Sequence, residues 1–257
     1  MEEAGPELIS VVIPAFNEAG TIAACVRRAA RTALEQARSV EVIVVDDGSR
    51  DATAREVRRE AVRLFGKAEV ICVSLPRNMG KGRALRAGIA RSRGDIVVLI
   101  DGDLEIPPEA AARVIARVRA GAHLAVASRH CPGSTVRRPL YRRVLSAGFR
   151  IIAGVLTGLR VSDSQCGLKG GAGGVLRALA AGTSIDRFAW DLELLALAHD
   201  GGWSIAELPV HVGWRPKDRR MRAQDVLAAF RDVLRVAARR RARAFRGFWA
   251  TVRGDAR

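Results

Sequence analysis

Ile96-Val97-Val98-Leu99-Ile100 runs without a break into Asp101-Gly102-Asp103, with Leu104-Glu105 behind it. A continuous apolar run of this length reads as a strand covered on both faces, as in the middle of a parallel sheet. Open α/β sheets place their ligands beyond the carboxyl ends of the strands, which is where Asp101 and Asp103 fall. Residues two apart in an extended segment point the same way, so the two carboxylates can serve one target. Gly102 between them admits close approach to the backbone. Paired hard oxygens at such a place suit Mg²⁺ or Mn²⁺ carrying a phosphate. For this element taken alone, a polar turn closing a strand is the plainer alternative.

Outward from this point the chain alternates strand and helix. Residues 9–14, 42–45, 69–74 and 123–128 read as strands, and residues 19–37, 53–65, 81–92 and 109–120 as helices, with Thr21 as a cap for the first helix. This order predicts right-handed βαβ units and a mainly parallel sheet flanked by helices. Residues 129–143 form a basic loop rich in Arg, Pro and Gly that leads into a helix around 145–156. Gly170, Gly171, Gly173 and Gly174 mark a flexible turn with a helix from about Val175, and a further helix covers 191–199. Residues 205–212 are strand-like around Pro209, which favours an edge. Residues 223–253 are strongly helical, so the expected organisation is a catalytic domain over 1–222 and a helical tail over 223–257.

The 257 residues carry a formal net charge of +16, mostly as Arg. Such an excess favours polyanions: nucleic acid, anionic lipid surfaces or phosphorylated substrates; an Arg-for-Lys compositional bias accounts for part of it equally well. Aromatic residues are only 5 % of the chain and no nucleic-acid motif occurs, which argues against a nucleic-acid binder. Cys25, Cys72, Cys131 and Cys166 lie far apart without zinc or redox spacing, as in a reducing cytoplasm. His123, His130, His199 and His211 show no ligand spacing either. The acidic start reaches a strand within eight residues, so no signal peptide is expected. The most apolar stretch, 151–156, is closed off by Arg150 and Arg160, well short of the roughly 20 residues a spanning helix needs.

Three strand ends carry acids: Asn17-Glu18, Asp46-Asp47 and Asp101-Gly102-Asp103. In a parallel sheet they share one edge, and convergent carboxylates repel unless cations or donors sit among them. A nucleotide with a metal on its diphosphate meets both demands. Asp46-Asp47-Gly48-Ser49 also has the residue types that cap helices and make turns. Asn78-Met79-Gly80-Lys81-Gly82-Arg83-Ala84 opens a helix with glycines and a lysine, but lacks P-loop spacing, so packing and capping stand beside phosphate binding.

Ser10 to Glu18, Val44 to Ser49, Asn78 to Gly82 and Asp101-Gly102-Asp103 together resemble the family-2 inverting glycosyltransferases. Asp163-Ser164-Gln165-Cys166-Gly167-Leu168-Lys169 and Trp190-Asp191-Leu192-Glu193-Leu194 are similar to the dolichyl- and polyprenyl-phosphate mannose and glucose synthase branch. The resemblance implies a GT-A, Rossmann-like α/β fold, a nucleotide-sugar donor such as GDP-mannose or UDP-glucose, Mg²⁺ or Mn²⁺, and a polyprenyl-phosphate acceptor at the cytoplasmic membrane face. It implies that Pro14, Glu18 and Asp46 hold the nucleoside, with Ala15, Asn17, Asp47, Lys81 and Gly102 in the same donor site. Asp101 and Asp103 bind metal and diphosphate, with Glu105 as a further ligand where that branch often has Gln. Arg129 and Arg142, with Arg219 or Arg220 at the place of a Ser-Lys/Arg-hydrophobic motif, hold phosphate; the serine of that motif is replaced here.

A phosphate monoester is mostly dianionic at neutral pH, since its second pKa is about 6, and needs positioning by arginines more than a base. That fits the arginines between 129 and 143; for a sugar-hydroxyl acceptor Asp191 would be the base, or it caps its own helix. Asp103, Arg129 and Asp191 are thus the catalytic candidates, and Cys166 reads as a buried structural thiol. In the tail, Val226, Phe230, Val233, Leu234, Ala237, Phe245, Phe248, Trp249 and Val252 recur at helical spacing among arginines. Such a basic amphipathic helix lies on an anionic membrane surface, packs on its own domain, or makes an assembly contact in a homo-oligomer.

Overall fold

The computed structural model describes residues 7–136, 140–159, 161–213 and 223–252, the side chains of 140–145, 223–226 and 244–252 excepted. Its first half is β1 (Leu8–Ala15), α1 (Ile22–Leu34), β2 (Ser39–Asp46), α2 (Thr53–Arg63), β3 (Glu69–Ser74), α3 (Lys81–Arg91) and β4 (Ile96–Leu99). β1 pairs in parallel with both β2 and β4, and β2 with β3. Then follow α4 (Ala111–Arg119), β5 (Leu124–Ser128), β6 (Thr135–Val136), α5 (Leu140–Thr157), β7 (Lys169–Ala172), α6 (Gly173–Ala181), α7 (Trp190–Asp200), β8 (Ile205–Pro209), β9 (His211–Val212) and α8 (Ala223–Val252). Among the described residues the main sheet has the order β3-β2-β1-β4-β7-β5-β8, and β6 pairs with β9. The winding reverses between β1 and β4, and open sheets hold their ligands at that switch point.

The run 96–100 is divided between two cores, as a strand covered on both faces must be. Ile96, Val98 and Ile100 pack with Ile9, Val11 and Ile13 against Ile22 and Val26 of α1, Val57 of α2 and Ile115 of α4. Val97 and Leu99 pack with Val12 against Leu85 and Ile89 of α3, Leu176 of α6, Trp190 and Leu194 of α7 and Val233 of α8. Helix α1 shows the reason for its place: Ile22, Cys25, Val26, Ala29, Ala30 and Ala33 form one buried stripe. It begins at Ile22 rather than 19, and Thr21 does not cap it with its side chain. The Thr21 hydroxyl donates instead to a Glu18 carboxylate oxygen at 2.9 Å.

The glycines at 170 and 171 are not a turn. They lie in β7, antiparallel to β4 on one side and to β5 on the other. A Cβ on Gly170 would sit 2.6 Å from Val114 Cγ1, and one on Gly171 2.7 Å from the His123 carbonyl. The strand is glycine-rich because its neighbours approach too closely for side chains, and α6 starts at once from Gly173. Pro209 ends β8, which is an edge strand of the sheet as read from the sequence.

Helix α8 packs on the domain through Ala229, Val233, Val236 and Ala237, while Leu227, Phe230 and Leu234 remain exposed. Arg239 pairs with buried Glu193 at 2.9 Å, and Arg240 with Asp200 at 2.7 Å. Among the described residues no helix is long and apolar enough to cross a membrane.

Guanidinium groups also reach the C-terminal ends of four helices, two of which, α5 and α6, already carry a glycine there, Gly158 and Gly182. Carbonyls at or just past the ends of α1, α3, α5 and α6 each accept from an arginine of another element: Gln36 from Arg119, Ser92 from Arg177, Thr157 from Arg240 and Thr183 from Arg86. Thr157 and Ser92 are carbonyls of the kind a helix leaves unpaired at its negative end, and Gln36 and Thr183 follow just after one.

Candidate functional site

The switch point is built from the turns after β1, β2 and β4. Asn17, in the left-handed region at φ 55°, accepts from the Arg50 amide at 2.8 Å and donates its own amide to Ser49 Oγ at 2.9 Å. The first turn is thereby clasped to the second. In the second turn an Asp46 oxygen accepts from the Ser49 amide at 3.0 Å, the turn-forming role open to it from sequence. Both Asp47 oxygens accept backbone amides, Met79 at 2.6 Å and Gly80 at 2.8 Å. Burial pushes the Asp47 pKa up while those two amides and Arg187 pull against it. The loop before α3 therefore docks on Asp47, and of the alternatives open from sequence packing is present: a Cβ on Gly82 would sit 2.5 Å from Trp190 Cβ. The result is that Lys81 at the start of α3 is delivered to the end of β4.

There Lys81 Nζ is 2.7 Å from Asp101 Oδ1. Burial lowers the Lys81 pKa, but the carboxylates of Asp101 and Asp191 outweigh it and hold the pKa above the usual lysine range. Gly102 passes close to β1, where a Cβ would sit 3.3 Å from both the Pro14 carbonyl and Ile22 Cδ1. Asp103 Oδ1 accepts the Glu105 amide at 3.0 Å. Leu104 between them holds φ 59°, a left-handed conformation rare for a non-glycine residue and concentrated at functional sites. The acidity of the place is felt by a neighbour: burial, then Asp103 and Asp101, push the Cys25 thiol up to about 12.

Facing the acids are residues from β5, β7 and α7. Arg129, just past β5, donates Nε and Nη2 to the two oxygens of Asp163 at 2.6 and 2.7 Å, and its amide at 3.0 Å. Burial opposes both charges, but the pairing raises the Arg129 pKa and lowers that of Asp163. Asp191 does not cap α7, whose N-cap position is Ala189. The residue is 4 % exposed, and its carboxylate lies between Lys169 Nζ at 3.0 Å and Lys81 Nζ at 3.8 Å. Lys169, itself 1 % exposed, also donates to the Cys166 carbonyl. Gly167 is pressed onto Asp101, where a Cβ would sit 2.0 Å from Oδ2.

The structure thus brings together Pro14, Ala15, Asn17, Glu18, Asp46, Asp47, Lys81, Asp101, Gly102, Asp103, Glu105, Arg129 and Asp191 around one sheet edge. The Arg142 side chain and residues 214–222, with Arg219 and Arg220, lie outside the described residues. Asp163, Gly167 and Lys169 were given no role from sequence, although their segment was singled out; the signal was charged residues in a stretch otherwise small and apolar. Cys166 is a buried thiol whose pKa burial raises, as expected.

Among the described residues no group of three His, Cys, Asp or Glu gathers into a ready metal cage. The donor set still fits a hard cation, because Mg²⁺ is commonly held by one or two carboxylates together with substrate phosphates. Asp101 and Asp103 would be those carboxylates.

Comparison with known proteins agrees with this geometry. Residues 10–171 match the family model for glycosyl transferase family 2. A dolichyl-phosphate β-glucosyltransferase of Trichomonas vaginalis is 30 % identical over 262 residues, 95 % of this chain and 74 % of its own. The glycosyltransferase AglD of Haloferax volcanii is 32 % identical over 238 residues, 88 % of this chain and 36 % of its own. An undecaprenyl-phosphate 4-deoxy-4-formamido-L-arabinose transferase of Pseudomonas aeruginosa is 43 % identical over 115 residues, 45 % of this chain and 33 % of its own. The chain therefore spans about a third of the length of these last two relatives. Glucosyl-3-phosphoglycerate synthase of Mycobacterium tuberculosis, solved with Mn²⁺, UDP-glucose and phosphoglyceric acid, superposes with a TM-score of 0.65 at 25 % identity, covering 91 % of this chain and 79 % of that one. The fold is accordingly GT-A. The matched span holds the three acidic strand ends, Arg129 and the 163–169 segment, and it makes up more than half of the sequence; the chain belongs to glycosyltransferase family 2.

Proposed function

We propose that this chain moves a hexose from a nucleotide sugar, GDP-mannose or UDP-glucose, to a polyprenyl phosphate at a membrane surface, inverting the anomeric carbon. One observation carries the choice of acceptor. Asp191, the residue a hydroxyl acceptor would need as its base, is buried between two ammonium groups, whereas a phosphate dianion needs no base. The polyprenyl-phosphate transferases among the relatives support the same choice.

In the reaction, a phosphate oxygen of the acceptor forms a bond to the anomeric carbon as the bond from that carbon to the nucleoside diphosphate breaks in line. No proton has to move. Pro14, Ala15, Asn17, Glu18 and Asp46 would hold the nucleoside, with Asp47 placing the loop that carries Lys81. Mg²⁺ or Mn²⁺ on Asp101 and Asp103, with Glu105 beside them, would neutralise charge developing on the leaving diphosphate. Arg129, fixed by its bidentate partner Asp163, would orient the attacking phosphate, helped by Arg142 and by Arg219 or Arg220. Exposed Ile151, Ile152 and Val155 of α5, with Leu227, Phe230 and Leu234 of α8, would meet the apolar layer at the cytoplasmic face, and exposed Arg231 and Arg241 of α8 its anionic headgroups.

The test is a mass-spectrometric assay in vesicles containing undecaprenyl or dolichyl phosphate, with each common nucleotide sugar and Mn²⁺. A lipid-phosphate hexose is the expected product. Transfer only to a soluble hydroxyl acceptor such as phosphoglycerate, or no lipid-linked product at all, would overturn the proposal.

A further inference from the structure

Lys81 occupies a position with two exits. Its Nζ is 2.7 Å from Asp101 Oδ1 and 3.8 Å from Asp191 Oδ2. Asp191 cannot follow it, because its other oxygen is held by Lys169 at 3.0 Å and Lys169 is in turn anchored on the Cys166 carbonyl. Asp101 is backed on one side, where Gly167 lies against Oδ2, too close for a Cβ. Asp191 is thus a held post, and the flexible lysine stem is the part that can cross between the two carboxylates. A shift of about 1 Å toward Asp191 would give a direct charge-assisted hydrogen bond of about 2.8 Å there and vacate Asp101 Oδ1.

Resting on the proposed function above, we propose that Lys81 is an exchangeable counter-ion of the donor site: it neutralises Asp101 while no divalent cation is held, and moves onto Asp191 when one binds. Two neighbouring carboxylates, with the Asp101 side chain 31 % exposed, repel each other and draw in cations. A tethered ammonium prevents this without competing strongly, because its second partner is already in place. The exchange also accounts for Lys169. A lysine with almost no exposure is costly to bury unless paired, and here it holds Asp191 in place at 3.0 Å to receive Lys81. Once displaced, Lys81 is next to the leaving diphosphate with its charge intact. Cation binding and donor binding would then be coupled through one side chain.

The experiment is a Mn²⁺ titration followed by electron paramagnetic resonance, on the full chain without donor and again with UDP, for wild type, Lys81→Met, Asp191→Asn and Asp103→Ala. Thermal melting of each variant establishes that it is folded. Lys81→Met, which removes the competitor, is expected to bind Mn²⁺ about tenfold more tightly than wild type in the absence of UDP, and to lose most of the further tightening that UDP brings. Asp191→Asn, which removes the second post, is expected to bind Mn²⁺ more weakly. Wild type and Lys81→Met binding Mn²⁺ equally, with Asp103→Ala abolishing it, would overturn the exchange and leave the metal site standing. No Mn²⁺ binding by wild type even with UDP would overturn the metal site and the exchange together.

Discussion

Gly167→Ala separates the chemistry of the site from the stability of the fold. Gly167 is not in the left-handed region, so only space matters, and a Cβ there would sit 2.0 Å from Asp101 Oδ2 and 2.5 Å from its Cγ. Ordinary contact begins near 3.5 Å, so the carboxylate must retreat by about 1.5 Å. The retreat opens the 2.7 Å pair with Lys81, because both oxygens belong to one rigid group. The obstacle is the end of a side chain, so the molecule yields at modest cost: an off-rotamer Asp101 and a weakened pair come to about 1–2 kcal/mol. For a chain of this size that lowers Tm by about 5 °C. A displacement of that size at a reacting centre costs about 10²-fold in rate. Differential scanning fluorimetry, Mn²⁺ titration and the lipid-phosphate assay together read all three quantities. Gly173→Ala is the control, since its Cβ would meet the Gly94 carbonyl at 2.0 Å; backbone cannot step aside, and this variant should lose stability outright. A Gly167→Ala protein with Mn²⁺ affinity and turnover within threefold of wild type would refute the placement of Asp101 at the reacting centre.

Asp163→Asn leaves the Arg129 guanidinium buried without its counter-charge, and should cost about 3–5 kcal/mol in denaturant unfolding at pH 7. The sign with pH follows from the lowered Asp163 pKa: its contribution is complete above the unfolded value of about 3.9 and is lost as pH falls through the folded one, so the gap between wild type and variant should narrow only below about pH 4. Deleting residues 223–257 should destabilise the domain and not simply release it from membranes, because Val233 and Val236 are buried and each buried valine contributes about 1.5–3 kcal/mol; an unchanged Tm would contradict this. Cys25, buried and with its pKa pushed up to about 12, should resist iodoacetamide at pH 8, as should buried Cys166, while partly exposed Cys131 reacts first in peptide mapping.

What could be read from the sequence follows what is local. The four parallel strands and their acidic ends were legible because each strand is a contiguous apolar run bounded by turn residues, and β3 falls on its expected limits. Strand β7 was not, because Lys169-Gly170-Gly171-Ala172 has neither an apolar run nor alternation. Its glycines are dictated by the separations of β4 and β5, which only the assembled sheet sets. The same holds for charge. Arg129 reads as a candidate from sequence, but its partner is 34 positions away, and the two lysines that hold Asp191 come from α3 and β7. A residue type announces that it is able to ionise; which counter-charge it meets is decided by topology. Asp47 likewise meets two backbone amides, those of Met79 and Gly80, which lie 32 and 33 positions away.

The arginines that end α1, α3, α5 and α6 change how the formal charge of +16 is to be understood. A guanidinium offers five donors in a planar fork and stays protonated, so one side chain can satisfy a carbonyl and a carboxylate at once, as Arg240 does with Thr157 and Asp200. A lysine ammonium can do the same only where both acceptors lie within reach of one nitrogen, as the Cys166 carbonyl and Asp191 do for Lys169, since it has no planar fork. Recoding this chain with lysine for arginine would keep its isoelectric character and its attraction for polyanions, yet remove the forked donors at the ends of four helices. Charge-preserving redesign is therefore not neutral for this chain, and the arginines worth sparing are those that reach another element's backbone.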